Sequence, residues 1–346
     1  MSSLLHSEIL EQPAVIRRLL EAETERVAEI GASLASRDIR YVVIAARGTS
    51  DNAARYAQYV FGTQNRLTVA LATPSIYGVY KQPPRLESAL VIGISQSGQS
   101  PDIVSVLQEA RKQGAPTVAV TNEPQSPLAA TADHVIGLHA GQERSVAATK
   151  TYTAQLAALA LLSLSMTGTP LRPHALDAVP QAIEQALASE PKAQAAAELI
   201  AGSNRCVAVG RGFNYATAFE VALKMKELAY VEAEPYSSAD FMHGPIAMVE
   251  PGFPVVLVSM GQTMRGEIAA LGESVREHGA NLVMLGDDES LCHPGDEWIP
   301  IPGGLPEWLT PLVAIVPGQL LAYHLTIARG GDPDSPRTIR KVTLTK

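Results

Sequence analysis

Residues 89–102 read A-L-V-I-G-I-S-Q-S-G-Q-S-P-D. The apolar, β-branched run Leu90 to Ile94 predicts a buried strand. It stops at Ser95-Gln96-Ser97-Gly98-Gln99-Ser100, after which Ile103, Val106, Leu107 and Ala110 recur on one face of a helix. A strand, a hydroxyl-rich turn and a helix start make a socket for a small anion, because free N–H groups and the positive end of the helix dipole meet there. The serines and glutamine add uncharged donors, and Gly98 lets the backbone approach closely. The plainer alternative is an N-cap cluster, since Ser and Asp start helices and Pro101 suits a first turn. One serine would satisfy a cap; this turn has three.

Outward from that stretch the same pattern recurs. Arg40 to Ala46 predicts a strand that runs into Arg47-Gly48-Thr49-Ser50-Asp51 and a helix over Ala53 to Val60. Further strands are expected at Leu67 to Leu71, Thr117 to Thr121 and His134 to Leu138, with a short helix near Leu128 to Thr131. A long Ala/Leu-rich helix reaches about Met166. Alternating strands and helices imply a parallel sheet covered on both faces. From Arg205 the order starts again: R-C-V-A-V-G-R-G-F-N-Y-A-T-A repeats R-Y-V-V-I-A-A-R-G-T-S-D-N-A-A, and P-V-V-L-V-S-M-G-Q matches A-L-V-I-G-I-S-Q-S. Gly48 and Gly212, and Ser95 and Ser259, share one offset, which argues for an internal duplication. The expected architecture is α/β: two duplicated, doubly wound parallel-sheet domains at 37–166 and 196–330. A helical segment (1–36, interrupted at Pro13) precedes them, a connector (167–195) joins them and a tail (331–346) follows. Ser259-Met260-Gly261 replaces the serine–glutamine cluster in the second copy, so only the first is expected to bind phosphate.

Composition narrows the function classes. A net charge of −8 gives no basic footprint, so no nucleic-acid partner is expected. Cys206 and Cys292 sit in no paired spacing and read as reduced thiols of a cytoplasmic protein. The start carries no secretion signal, and the apolar stretch Leu156 to Met166 is too short to span a bilayer, so no membrane partner is expected. The histidines form no ligand spacing; neither a metal nor a cofactor is expected.

The second half carries the candidate chemistry. Phe219 to Val231 reads as a helix with Glu220, Lys224 and Glu227 on one face. By spacing alone this is a solvated stripe with an ion pair; a carboxylate beside a lysine could instead move protons next to a carbonyl. Residues 232–246 read as an irregular loop, with His243 before Gly244-Pro245 either surface-exposed or functional. The tail could be frayed, but Ile339, Val342 and Leu344 around Lys341 suggest order, and a partly desolvated lysine can attack a sugar carbonyl.

With S-Q-S-G-Q-S-P-D, S-V-A-A-T-K-T-Y-T-A-Q-L, A-L-K-M-K-E, H-G-P and P-R-T-I-R-K in view, the chain resembles tandem sugar-isomerase (SIS) domain proteins of flavodoxin-like fold. These are the isomerase half of glutamine–fructose-6-phosphate aminotransferase and the stand-alone glucosamine-6-phosphate deaminases. The resemblance implies phosphate binding by Ser50, Ser95, Gln96, Ser97 and Ser100, and sugar contacts at Gly48, Thr49, Val146, Ala147 and Ala148. It makes Glu227 the base between C1 and C2, with Lys224 nearby, and Lys341 the Schiff-base lysine. It gives His243 to ring opening, donated from the neighbouring subunit of a homodimer. The implied substrate is a hexose 6-phosphate or an amino-sugar phosphate. Ser2 follows Met1 where the synthases carry a catalytic Cys, so no glutamine-derived ammonia is expected in cis. Arg47 replaces their cysteine and Ala148 a serine, and S-V-A-A-T-K looks more like the deaminases. The expected reaction is glucosamine 6-phosphate and water to fructose 6-phosphate and ammonia. The alternatives are a fructosamine-type 6-phosphate deglycase, an ammonia-dependent synthase subunit and a non-catalytic phosphosugar sensor.

Overall fold

A computed structural model describes residues 3–167, 174–338 and 341. The tail positions Ile339, Val342 and Leu344 lie outside the described residues. Two compact units emerge, each interleaved along the chain: one holds residues 14–143, 150–177 and 340–346, the other residues 1–13, 144–149 and 178–339.

The first unit is built on β1 (Tyr41–Ala45), β2 (Thr68–Leu71), β3 (Ala89–Ile94), β4 (Thr117–Thr121) and β5 (His134–Gly137), all parallel in the order β2-β1-β3-β4-β5. This is the flavodoxin-like strand order. Its topological switch point lies between β1 and β3, where ligands bind beyond the carboxyl ends of the strands. Every residue of β3 and β4 is buried, which explains their unbroken apolar runs. The helix Pro101–Lys112 turns Ile103, Val106, Leu107 and Ala110 onto Val43, Ala45, Val91 and Ala119, as its periodicity predicts. The helix Thr49–Gln64 starts four residues earlier than expected, so Ser50 stands in its first turn. The helix Lys150–Ser165 is apolar nearly all round and buried nearly along its length, as a central core helix should be.

The second unit repeats this plan with β6 (Arg205–Gly210), β7 (Glu232–Ser237), β8 (Pro254–Ser259), β9 (Asn281–Gly286) and β10 (Glu297–Pro300), in the order β10-β9-β8-β6-β7. Read from β7, this is the order of the first sheet. β7 corrects the expected irregular loop: residues 232–237 pair with β6 in parallel from Arg205↔Glu232 to Gly210↔Ser237. The helix Ser238–Met242 and a 3₁₀ turn Pro245–Met248 follow. The helix Thr310–Ala328 stands where the repeat places it, as the counterpart of Lys150–Ser165. Glu307–Ala328 is long and apolar enough to cross a membrane, but 78% of its most apolar window is buried, as in a core helix. Cys206 is buried in β6, and burial pushes its thiol up to about 12.

The N-terminal helical segment consists of Leu4–Leu10 and Gln12–Ala35, broken at Glu11 with Pro13 in the first turn of the second helix. Residues 174–200, at the end of the expected connector and just beyond it, form the helices His174–Asp177, Val179–Leu187 and Glu190–Ile200.

Candidate functional site

The serine turn leaves β3 at the switch point of the first sheet. Gly98 adopts a left-handed φ of 61°, and a Cβ there would lie 2.1 Å from Ser126 Oγ. Only glycine fits this turn without displacing it. The turn is pinned on its inner side: Gln96 O accepts from Asn122 N (3.1 Å), and Gly98 O accepts from Leu128 N (3.2 Å). Ser95 Oγ accepts from Gly98 N at 3.1 Å, and Ser97 Oγ from Gln99 N at 3.4 Å. Ser100 occupies the N-cap position of Pro101–Lys112 but makes no side-chain capping bond. The hydroxyl that the capping alternative needs is therefore not spent on the helix.

Ser50 comes from the neighbouring strand–helix junction, after Gly48 (φ 53°) and Thr49. Gln155, on the buried helix Lys150–Ser165, donates from Nε2 to Ser50 Oγ at 3.0 Å. Sequence reasoning missed Gln155, because nothing in a helical run shows which buried residue meets the Ser50 hydroxyl. Arg47 Nε reaches Asp102 Oδ2 at 2.9 Å, tying the two junctions together across the switch point. Arg47 is half-exposed, so this sequence places a solvent-accessible cation against the helix that follows the serine turn.

The same unit holds Lys341, whose Nζ donates to Glu143 Oε2 at 2.7 Å. Glu143 also accepts from Thr151 N (3.2 Å) and Thr151 Oγ1 (2.8 Å). Sequence reasoning did not find this carboxylate.

The second unit carries the remaining candidates. Val146 and Ala148 are half-buried and Ala147 buried. The segment's start is held by Glu8, which accepts from Arg144 N at 2.5 Å and Ser145 N at 3.2 Å. The turn corresponding to the serine loop is already filled. Glu307 Oε1 accepts from Gln262 N (2.7 Å) and Thr263 N (2.8 Å), the amides that match Gly98 and Gln99 by the repeat offset. Burial works against the Glu307 carboxylate; these amides and Arg265 outweigh it and hold it below its ordinary range. The chain's own carboxylate thus takes the anion position of the second copy.

Glu220, Lys224 and Glu227 do not form a solvated stripe. Lys224 and Glu220 have side-chain exposures of 1% and 0%, and Glu227 of 27%. Lys224 Nζ lies 2.5 Å from Glu227 Oε2 and 3.4 Å from Glu220 Oε1. Burial pulls its ammonium down, and Glu227 and then Glu220 more than restore it, so Lys224 titrates above the ordinary lysine value. The α-helix ends at Lys224, and Met225–Ala229 continue as a π turn closed by Tyr230 in left-handed conformation. Such turns recur at functional sites because they re-aim side chains. Of the three, Glu227 is the one a ligand can reach. His243 is exposed at the C-cap of Ser238–Met242 and is not a member of the Lys224 ion-pair cluster. Among the described residues no group of three His, Cys, Asp or Glu side chains is placed to hold a metal.

Comparison with known proteins bears on the family and the fold. The SIS domain model matches residues 37–165 and 199–329. Glutamine–fructose-6-phosphate aminotransferase (isomerizing) of Thermococcus kodakarensis is 34% identical over 96% of this chain and 56% of its own length. That of Streptococcus pneumoniae is 33% identical over 96% and 57%. The chain therefore spans little more than half the length of these relatives. Among solved structures, the C-terminal domain of glucosamine-fructose-6-phosphate aminotransferase from Francisella tularensis superposes with a TM-score of 0.89. It is 26% identical and covers 97% of this chain and 99% of that one. Glucosamine-6-phosphate deaminase from Thermotoga maritima shares the fold at 21% identity and a TM-score of 0.78, over 99% and 100% of the two chains. Two copies of one sheet order, a serine turn at the first switch point and a family match across both halves lead to one conclusion: this chain belongs to the SIS domain family.

Proposed function

We propose that the protein is a phosphosugar aldose–ketose isomerase that releases ammonia, converting glucosamine 6-phosphate and water to fructose 6-phosphate and ammonia. The observation that carries the reading is Lys224 buried between two carboxylates, of which only Glu227 is open to a ligand. Ser50, Ser95, Gln96, Ser97 and Ser100 bind the 6-phosphate, and Gly48, Thr49 and residues 146–148 contact the sugar. His243, donated by the neighbouring subunit of a homodimer, assists ring opening. Glu227 takes the proton from C2 of the open-chain aldehyde and returns it to C1, while a second proton passes from the C2 amine nitrogen to O1, leaving a C2 imine and a C1 alcohol. The Lys341 amine adds to C2 and expels ammonia; water then adds to the resulting imine, releasing the ketose and regenerating the amine.

The likeness to aminotransferases favours a second reading, in which the same steps run backwards from fructose 6-phosphate and ammonia. A panel of glucosamine 6-phosphate, fructosamine-type 6-phosphates, and fructose 6-phosphate with ammonium, followed by ammonia release or uptake, separates these directions. Glu227→Gln should lower turnover by about 10²- to 10⁴-fold while leaving phosphosugar affinity within about twofold. Wild-type turnover in that variant removes Glu227 from the chemistry. No turnover of any panel member by the wild type, with phosphosugar binding intact, favours a non-catalytic sensor.

A further inference from the structure

We infer that Glu143 is the residue that positions the Lys341 amine and takes its proton as the amine attacks a sugar carbonyl. The inference rests on the imine reading of Lys341 given above. The Glu143 side chain is fully buried, whereas that of Lys341 is 23% exposed and open to a ligand. Two of the contacts to Glu143 come from Thr151, in the first turn of the rigid core helix Lys150–Ser165. The carboxylate is therefore fixed by the fold. A lysine is a point charge on a flexible four-carbon stem, and it takes its position from its partner. Helix capping alone accounts for the Thr151 contacts. It does not account for the 2.7 Å bond from Lys341 Nζ to Oε2.

The pair solves a chemical problem for an amine nucleophile. An ammonium has no lone pair, so it must lose a proton before its nitrogen can bond to C2. Glu143 is in hydrogen-bond contact with the nitrogen that must lose it. In the step proposed, the Lys341 ammonium passes one proton to Glu143 and the freed lone pair forms the N–C2 bond. The carbonyl π electrons move to oxygen, and a proton moves from nitrogen to that oxygen to give the carbinolamine. The protonated Glu143 then gives its proton to the C2 hydroxyl, which leaves as water, and the nitrogen lone pair forms the C=N bond. Glu143 ends as a carboxylate beside an iminium cation, so charge and atoms balance. Lys150, whose Nζ donates to Gln142 O at 3.0 Å, is the other amine in this segment, and the test must distinguish the two.

The full chain is incubated with fructose 6-phosphate and borohydride at pH about 7 and about 10, and the labelled lysine is located by peptide mapping. Wild type should be trapped at Lys341 at both. Glu143→Gln keeps the shape and an acceptor for Thr151; it should slow trapping by about 10²-fold at neutral pH. Most of the rate should return near pH 10, where a lysine amine begins to lose its proton unaided. Glu143→Asp should move the same way by less, and it decides the matter if the Gln variant does not fold. A loss equal at both pH values, or no loss, in the variant that folds means that Glu143 is only a helix cap and overturns the inference. Label on Lys150, or none on wild type, refutes the imine reading itself and the role of Glu143 with it.

Discussion

Replacing Gly98 with alanine tests the serine turn as a phosphate socket through its tightest point. The new Cβ would meet Ser126 Oγ at 2.1 Å, Ser126 Cβ at 2.4 Å and Thr121 Oγ1 at 3.1 Å. These atoms belong to packed elements, so the turn itself must move. A left-handed φ costs a non-glycine residue about 1–2 kcal/mol. Overpacking a filled site costs about 1–3 kcal/mol more. The total of about 2–5 kcal/mol is relieved by displacing the amides and hydroxyls of residues 95–100. Even the lower end corresponds to a loss of about 30-fold in phosphate affinity. Gly114→Ala is the control: φ there is 78°, but nothing lies within 4 Å of the added Cβ. It should lower the melting temperature without moving the affinity beyond about twofold. Gly98→Ala combined with Ser126→Gly removes the two closest contacts and should recover a large part of the binding, at a capping cost of only about 0.3 kcal/mol of stability. Titration calorimetry with fructose 6-phosphate on the four proteins reads all three effects. Wild-type affinity in Gly98→Ala, or no recovery in the double variant, refutes the account.

Two further outcomes follow from the same geometry. Gln155→Ala frees Ser50 Oγ from its buried donor and should raise KM for the phosphosugar several-fold with little change in kcat; an equal fall in kcat would place Gln155 in the chemistry. Lys224→Met leaves Glu220 buried without its cation and should cost about 3–5 kcal/mol at neutral pH by denaturant melts. Because Lys224 is raised above its unfolded value, its stabilisation is complete below the unfolded lysine pKa of about 10.4 and fades as pH rises through the folded one. The gap between wild type and variant should therefore narrow above pH about 10; a constant gap would show that the ion pair is not its source.

The strands of the first sheet and the doubling of the fold were legible because buried parallel strands write themselves as short apolar runs, here at one offset. β7 was not, because E-A-E-P-Y-S carries an edge strand's mixed exposure. The offset relating Gly48 to Gly212 also carries Thr68 of β2 onto Glu232, a signal that could have found it. The stripe of Glu220, Lys224 and Glu227 was legible as a stripe. Its burial was not, since a three- and four-residue spacing is the same on a wet face and in a packed one. Glu143 lies far along the chain from Lys341, and Gln155 from Ser50, so no local pattern joins them.

Glu307 in its turn makes the two copies respond differently to what is dissolved around them. A carboxylate tethered to the same chain is a ligand that never dilutes, so the second copy carries its anion at every buffer composition. On the phosphate reading proposed above, the first copy draws its anion from solution, and its stability should rise by about 2.7 kcal/mol when phosphosugar reaches a hundred times its dissociation constant. Metabolite supply would then set the lifetime of one half of the molecule, while the other half stays indifferent to it.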